Sequence, residues 1–130
     1  MAIYPTAEQF QALLAQPDDG PVVMLNLLRF KSQADGSAGD VTGQASYERY
    51  ARAMREIVES EGGRFLWAGQ VDAVVIGGDD AAFDVVGIVE YPSRKKFVEL
   101  AMSARVQKIA GDRTAGLESQ WLLATTTRDI

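Results

Sequence analysis

Hydrophobic positions along the chain predict a short opening helix followed by a buried strand. The spacing of Thr6 and Gln9 matches a capping box, which predicts that the helix begins after Thr6. Residues 22–30 are apolar on both faces until Arg29, a pattern that is typical of a central strand.

The next apolar pattern has helical spacing and predicts a long helix over residues 44–61. Its inner stripe consists of Tyr47, Tyr50, Ala51, Met54, Ile57 and Val58. Gly62 and Gly63 follow, and glycine suits the left-handed turn that ends many helices. Residues 32–43, between strand and helix, are rich in Gly, Ser and Asp and predict a long loop.

Three further strands and a broken helix complete the pattern. The strands are predicted over residues 64–76 with a break at Gly69, 84–91 and 117–126. The second main helix begins at its cap, Ser93, and breaks near Ser103.

After the opening helix, the order of elements is β-α-β-β-α-β, the ferredoxin-like arrangement of an α+β fold. Right-handed crossovers place both main helices on the same face of a four-stranded antiparallel sheet. The expected order across the sheet is strand four, one, three, two, with the two most apolar strands at its centre. We expect one domain over residues 1–130, in which residues 1–20 form a helical extension.

The predicted strands are apolar on both faces, whereas the two helices cover one face. An uncovered face would lose about 25 cal/mol for each Å² of apolar surface left in water. We therefore expect a homodimer in which two sheets pack face to face as an α+β barrel. The alternative is a monomer whose second face is covered by the long loop.

The charge of the chain limits its partners. It carries 13 basic and 18 acidic side chains, a net charge of −5, which argues against nucleic acid and anionic membranes. No apolar run approaches the roughly 20 residues that span a bilayer. The N-terminus has no basic region followed by an apolar stretch, so we expect no secretory signal and a cytoplasmic location.

Cysteine and histidine are both absent from the sequence. The chain therefore has no thiolate nucleophile, no Cys-ligated metal, no proximal haem histidine and no Ser-His-Asp triad. We expect no metal and no cofactor. Any catalysis would rely on carboxylates, Tyr, Lys, Arg, amides or the chemistry of the substrate itself.

Several short motifs occur in a fixed order along the chain. They are Pro21-Val22-Val23-Met24-Leu25-Asn26-Leu27-Leu28, Phe30-Lys31, Tyr47-x-x-Tyr50, Gly62-Gly63-Arg64, Tyr91-Pro92-Ser93 with Phe97, and Arg113. Together they resemble the family called domain of unknown function 1330, from about residue 21 to residue 126.

This resemblance implies a dimeric α+β barrel. Relatives by fold include cofactor-free quinol monooxygenases, muconolactone isomerases, haem-dependent peroxidases and chlorite-degrading enzymes. Members of the family often carry a histidine shortly before the residue that matches Arg113, whereas this chain has Gly111 and Asp112 there. The departure argues against a histidine-based mechanism.

Asn26 and Glu90 are the candidate catalytic residues. Asn26 interrupts an apolar strand, where an unpaired amide is costly, so it must bond either a substrate oxygen or a protein partner. Glu90 shares a strand face with Ile88, and a partly buried glutamate can act as a base in a chain without histidine. The alternative for Glu90 is a salt bridge to Arg29, Arg64 or a lysine.

Arg64 and Arg113 are the candidate anion binders. Arg64 begins a strand directly after two glycines, and Arg113 lies near the end of a helix, where the macrodipole favours a cation. Each guanidinium group could hold a carboxylate or enolate through paired hydrogen bonds. The alternative for Arg113 is helix capping with a salt bridge.

The candidate substrate-binding aromatic residues are Tyr47, Tyr50 and Trp67, with Tyr91 and Trp121 as further possibilities. Such rings could line a cleft for a planar ligand and bond it through their hydroxyls. The alternative is core packing. The unknown strand register leaves open whether Trp67 shares a face with Asn26.

Three functions fit these residues. The first is a small cofactor-free enzyme, monooxygenase-like or isomerase-like, that acts on a small aromatic or enolisable acid. The second is a non-catalytic homodimer that binds a small molecule. The third is an interaction module without a pocket. A cavity next to an incompletely bonded Asn26 or Arg64 would favour the enzyme, and a cavity without a proton acceptor would favour the binding protein.

Overall fold

The computed structural model describes residues 2–36 and 40–130. The helices are α1 (Ala7–Leu14), α2 (Gly43–Ser60), α3 (Arg94–Ala101) and α4 (Ala104–Gly116), and the strands are β1 (Val22–Phe30), β2 (Arg64–Gln70), β3 (Val85–Tyr91) and β4 (Leu117–Thr125). A short 3-10 helix, Asp79–Ala81, precedes β3. Residues 37–39 of the predicted long loop lie outside the described residues.

Side chains at the helix starts explain where the helices begin. Thr6 and Gln9 form the predicted capping box, in which each side chain bonds the backbone nitrogen of the other, at 2.8 and 3.1 Å. Ser93 and Ser103 cap α3 and α4, at the predicted start and break of the second main helix. Gly62, with φ of +88°, follows α2 in the predicted left-handed conformation.

The sheet is antiparallel and has the order β2-β3-β1-β4, which confirms the predicted ferredoxin-like α+β topology. β1 and β3 lie at its centre. In this register Asn26 lies opposite Gly87 of β3 and Leu122 of β4. These pairings decide which candidate residues share a face.

One face of the sheet packs against the helices and forms the core. The buried cluster consists of Val22, Met24, Met54, Ile57, Val58, Val89, Tyr91, Leu100 and Val106. Because side chains alternate along a strand, Asn26 shares the helix face with Met24 and Leu28. α1 packs against α3, so the N-terminal extension also lies on the helix side.

The opposite side of the sheet is called here the open face. It consists of Leu25, Leu27, Val86, Ile88, Trp67, Trp121 and Leu123. Trp67 is 58% exposed, Trp121 47% and Leu123 48%. Phe83 contacts the edge of Trp121, with ring centroids 5.0 Å apart, and covers one end of the face.

The described part of the long loop does not provide the cover considered for a monomer. In its described part, Asp35 N donates to Ala115 O at 3.0 Å, and Lys31 N, just before the loop, donates to Gly116 O at 2.9 Å. Both contacts hold this part of the chain at the end of α4. The homodimer remains a prediction that this face motivates.

Two local predictions for the second strand are wrong. The irregularity lies between Phe65 and Trp67, and Gly69 instead accommodates the Trp67 ring, because a Cβ at Gly69 would lie 2.3 Å from a ring carbon. Residues 71–76 form no strand. The 3-10 helix precedes β3, which begins only at Val85, so no strand lies opposite residues 71–76. Val75 and Ile76 are accordingly about as accessible as isolated side chains, at 90% and 94%.

α2 and α4 pack closely because two glycines meet at their crossing. A Cβ on Gly116 would lie 2.2 Å from Gly43 O and 3.0 Å from Tyr47 N. This contact fixes the height of Tyr47 above the sheet. Across residues 2–36 and 40–130, no helix has both the length and the apolar character needed to cross a membrane.

Candidate functional site

A cavity of about 230 Å³ lies between α2 and the helix face of the sheet, and we call it the tyrosine cavity. Its walls include Asn26, Tyr47, Tyr50, Met54, Phe65 and Tyr91. The helical spacing of Tyr47 and Tyr50 turns both rings of α2 toward the sheet, where β3 contributes Tyr91. Three of the candidate aromatic residues therefore lie at one cavity.

The rings of the tyrosine cavity pack on one another, but their hydroxyls are free. The Tyr47 ring lies 5.4 Å from the rings of both Phe30 and Tyr50, centroid to centroid. No residue among 2–36 and 40–130 hydrogen-bonds the hydroxyl of Tyr47, Tyr50 or Tyr91. Since no side-chain oxygen there is both fully buried and unpartnered, these hydroxyls border accessible space.

The tyrosine hydroxyls are held in the neutral form. Burial raises the pKa of Tyr47, Tyr50 and Tyr91 above the usual value for tyrosine. The charge on Arg113 opposes this rise at Tyr47 and Tyr50, which places a positive field at the cavity. Near neutral pH these hydroxyls therefore remain hydrogen-bond donors, and the charge of Arg113, which does not line the cavity, favours negative charge on Tyr47 and Tyr50.

Asn26 reaches this site with both ends of its amide engaged. Its Nδ2 donates to Met24 O and Gly87 O, each at 3.3 Å, and its Oδ1 accepts from Gln120 Nε2 at 2.8 Å. This is the protein-bonded alternative for Asn26. The amide borders the tyrosine cavity, so it contributes a polar wall while its nitrogen is already used.

Arg113 is connected to Asn26 through Gln120. Arg113 Nη2 donates to Gln120 Oε1 at 2.6 Å and also to Ile3 O. No carboxylate of the described residues lies within ion-pair distance of Arg113, so the alternative of a salt bridge is not found there. The described residues therefore leave this guanidinium group without an ion-pair partner.

Glu90 and Arg64 lie together, away from the tyrosine cavity. Glu90 pairs with Val23 across the sheet, which places it on the open face with Ile88, as predicted. Arg64 Nη2 lies 2.8 Å from Glu90 Oε2, the salt bridge that was the alternative for Glu90. The sheet separates this pair from Asn26, so the structure does not bring the two candidate catalytic residues together.

Trp67 also belongs to the open face by its register. It lies opposite Ile88, whereas Asn26 lies opposite Gly87 on the other side of the sheet. Trp67 borders the tyrosine cavity at the β2 edge, but its ring lies over Gly69. Trp121 pairs with Leu27 and is likewise on the open face.

Sequence reasoning missed Gln120, which joins Asn26 to Arg113. Gln120 is a polar residue directly before Trp121-Leu122-Leu123, and this interruption was the available signal. Its side chain could be assigned to the helix face only once β4 was known to place it opposite Leu28. Within the described residues, no three His, Cys, Asp or Glu side chains form a group that could hold a metal ion.

A family model described as domain of unknown function (DUF1330) matches residues 36–127. The chain belongs to the DUF1330 family. The resemblance drawn from the short motifs is thereby confirmed. No curated protein matches the chain.

Solved structures resemble the chain over most of its length. Methylated RPA0582 protein is 33% identical, with 98% of this chain and 96% of that chain covered and a TM-score of 0.88. RPA0582, a protein of unknown function from Rhodopseudomonas palustris, is 32% identical, with 98% of both chains covered and a TM-score of 0.88. A dabb family protein with a ferredoxin-like fold from Mesorhizobium loti is 11% identical, with 85% and 100% covered and a TM-score of 0.56, which bears on the fold alone.

Proposed function

We propose that this DUF1330 protein binds a small planar molecule with an anionic oxygen, such as a phenolate or an enolate, in the tyrosine cavity. The proposal is carried by one observation. Tyr47, Tyr50 and Tyr91 line a space of about 230 Å³, and their hydroxyls have no protein partner among the described residues. Buried donors without acceptors favour a ligand that supplies one.

The electrostatics of the cavity favour an anion over a neutral ligand. Because burial raises the pKa of the tyrosines, their hydroxyls stay protonated and can donate to an oxygen anion. Arg113 has no carboxylate partner among the described residues, and its charge adds to this preference. Apolar groups such as Met54 and Phe65 would contact the rest of the ligand.

The cavity supports binding better than proton transfer. Both ends of the Asn26 amide are engaged by protein groups. Glu90 lies on the open face in an ion pair with Arg64. Glu48 borders the cavity but is exposed to solvent, and it is the one carboxylate among the described residues that line it. Among the described residues, no buried carboxylate is thus placed at the tyrosine cavity to accept a proton from a ligand.

A cofactor-free enzyme is the second candidate, because the same donors would stabilise an enolate or phenolate formed during a reaction. A monooxygenase-like or isomerase-like reaction on a substrate that is already anionic needs no protein base at its first step. Tyr47 and Tyr50 would then donate hydrogen bonds to the anion. Under this alternative the ligands that bind would also turn over.

We further propose that the protein acts as a homodimer that packs through the open face. Leu25, Leu27 and Ile88 lie at the centre of this face, and no described helix covers them. Burying apolar surface of this kind contributes roughly 25 cal/mol per Å². The dimer would fix the sheet from below and hold the floor of the tyrosine cavity rigid.

A thermal-shift screen of substituted phenols and enolisable acids tests the binding proposal. Phenols that are ionised at the assay pH should raise Tm, and a Tyr50→Phe variant should lose most of that gain. Glu90→Gln, which changes an ion pair on the open face, is the control. An absence of any stabilising phenol, or equal gains in Tyr50→Phe and wild type, would overturn the proposal. Turnover of a stabilising compound would favour the enzyme.

A further inference from the structure

A second cavity lies between the N-terminal segment, α1 and β4, and we call it the outer cavity. Its volume is about 430 Å³, within the usual range for small-molecule sites. Its apolar walls include Ile3, Phe10, Leu13, Met24, Phe97 and Leu122. None of these residues lines the tyrosine cavity.

Arg113 is the one charged residue among those that line the outer cavity. Its Nη2 bonds Ile3 O and Gln120 Oε1, but no described residue accepts a hydrogen bond from its Nε or Nη1. Because no side-chain nitrogen in the described residues is both fully buried and unpartnered, these donors face accessible space. Two guanidinium donors are thus available at an apolar cavity.

Two other polar side chains at the outer cavity, Tyr4 and Gln120, are already hydrogen-bonded. The Tyr4 hydroxyl lies 2.7 Å from Thr114 Oγ1, and both ends of the Gln120 amide are bonded. The Tyr4 ring lies beside the Arg113 guanidinium, 5.4 Å from centroid to Cζ, and helps to hold it in place. Arg113 is therefore the charged donor at this cavity, and the Tyr4 ring helps to position it.

We propose that the outer cavity binds an amphiphilic monocarboxylate, whose carboxylate pairs with Arg113 and whose hydrocarbon part lies between α1 and β4. A guanidinium fork matches a carboxylate in geometry and charge. The apolar walls favour a ligand whose remaining part is a hydrocarbon chain or ring without further polar groups. The two cavities share no lining residue, and pairing of Arg113 with a carboxylate in the outer cavity does not require a ligand in the tyrosine cavity.

Calorimetric titration of the full chain with octanoate, octan-1-ol and octylammonium tests the proposal, because the three probes share a chain and differ in charge. Octanoate should bind at least about tenfold more tightly than octan-1-ol, and octylammonium should not bind measurably. Arg113→Gln should lower the affinity for octanoate to that for octan-1-ol.

Two variants of α1 separate occupation of the cavity from loss of Arg113. Leu13→Trp fills the cavity and should abolish octanoate binding. Leu14→Trp is the matched control, because Leu14 is the next residue on α1, is exposed and does not line the cavity. The proposal is overturned if wild type does not bind octanoate, if octan-1-ol binds equally well, or if Leu13→Trp binds octanoate as wild type does.

Discussion

The side-chain nitrogen of Gln120 lies 2.8 Å from the side-chain oxygen of Asn26 and bonds it across the β1–β4 pair. The same Gln120 side chain accepts from Arg113 at 2.6 Å. Three polar residues thus form a continuous chain on the helix face, between the tyrosine cavity and the outer cavity. Through these hydrogen bonds Asn26 has the partner that a polar residue in a central strand requires.

Asn26→Leu should destabilise the fold by about 1–3 kcal/mol, because it leaves the half-buried Gln120 amide without its acceptor. Urea denaturation measures the change. Gln107→Leu is the control: Gln107 bonds Ala101 O at an exposed position, and its replacement should cost less than about 0.5 kcal/mol. Equal effects of the two substitutions would contradict a structural role for the Asn26–Gln120 bond.

Asn26 was identifiable from sequence because a single amide stands out in an apolar strand. The partner of Asn26 was not, because Gln120 lies 94 residues away and its face depends on the register of β4. The same limit applies to Glu90, whose neighbours on its strand were predicted correctly. Glu90 and Asn26 lie on opposite faces of the sheet, which follows from the pairing of β3 with β1. The sequence shows which residues alternate along each strand but not how the two strands are paired.

The buried tyrosines should make stability depend on pH in the alkaline range. Burial raises the pKa of Tyr47 in the folded protein, whereas the unfolded chain releases this proton near pH 10. Above about pH 10 the unfolded state therefore binds fewer protons, and the free energy of unfolding falls by up to about 1.4 kcal/mol per pH unit for this group. Below that pH the contribution is fully present.

Tyr47→Phe should accordingly show a shallower loss of stability between about pH 10 and pH 11.5 than wild type. Urea denaturation across this range gives the two slopes. Gln107→Leu, which removes no ionisable group, should retain the wild-type slope. Identical slopes for Tyr47→Phe and wild type would show that the Tyr47 hydroxyl is not held neutral by the fold.

Two glycines of α4 should respond in opposite directions to the same substitution. Gly116→Ala places a Cβ 2.2 Å from Gly43 O and should cost about 1–3 kcal/mol through overpacking. Gly111→Ala meets nothing within 4 Å and should add about 0.5–1 kcal/mol through helix propensity. Thermal unfolding of both variants tests whether the α2–α4 crossing requires a residue without a side chain at position 116.

The order of the strands followed from sequence because it depends on apolar periodicity and on the handedness of crossovers. The starts of α1, α3 and α4 could also be predicted from sequence, because Thr6, Ser93 and Ser103 bond backbone groups only three residues away. The loop after β2 was not: residues 71–76 have the composition of a strand, but no strand lies opposite them. Strand formation needs a partner, and composition does not reveal whether one is present.

The open face should determine the oligomeric state. Wild type should elute with twice the chain mass of 14.1 kDa in size exclusion with light scattering. Leu25→Lys places a charge at the centre of the face and should yield monomers. Met102→Lys, at a 69% exposed apolar residue between α3 and α4, is the control and should remain dimeric. A monomeric wild type would refute the dimer.

The separation of the candidate residues by the sheet predicts different roles for Glu90 and Tyr50 in ligand binding. Glu90→Gln removes an ion pair in which Arg64 is 66% exposed, so it should cost less than about 1 kcal/mol and leave ligand binding unchanged. Tyr50→Phe removes a donor that faces the cavity and should weaken binding of an anion about tenfold.

The most direct test is a spectrophotometric pH titration of 4-nitrophenol bound to the protein, because its phenolate form is coloured. The account predicts that 4-nitrophenol binds and that its pKa falls in the complex, since neutral tyrosine hydroxyls and the nearby Arg113 stabilise the phenolate. The fall should be smaller in Tyr50→Phe and unchanged in Glu90→Gln. An unchanged or raised pKa of the bound compound, or no binding, would contradict the account.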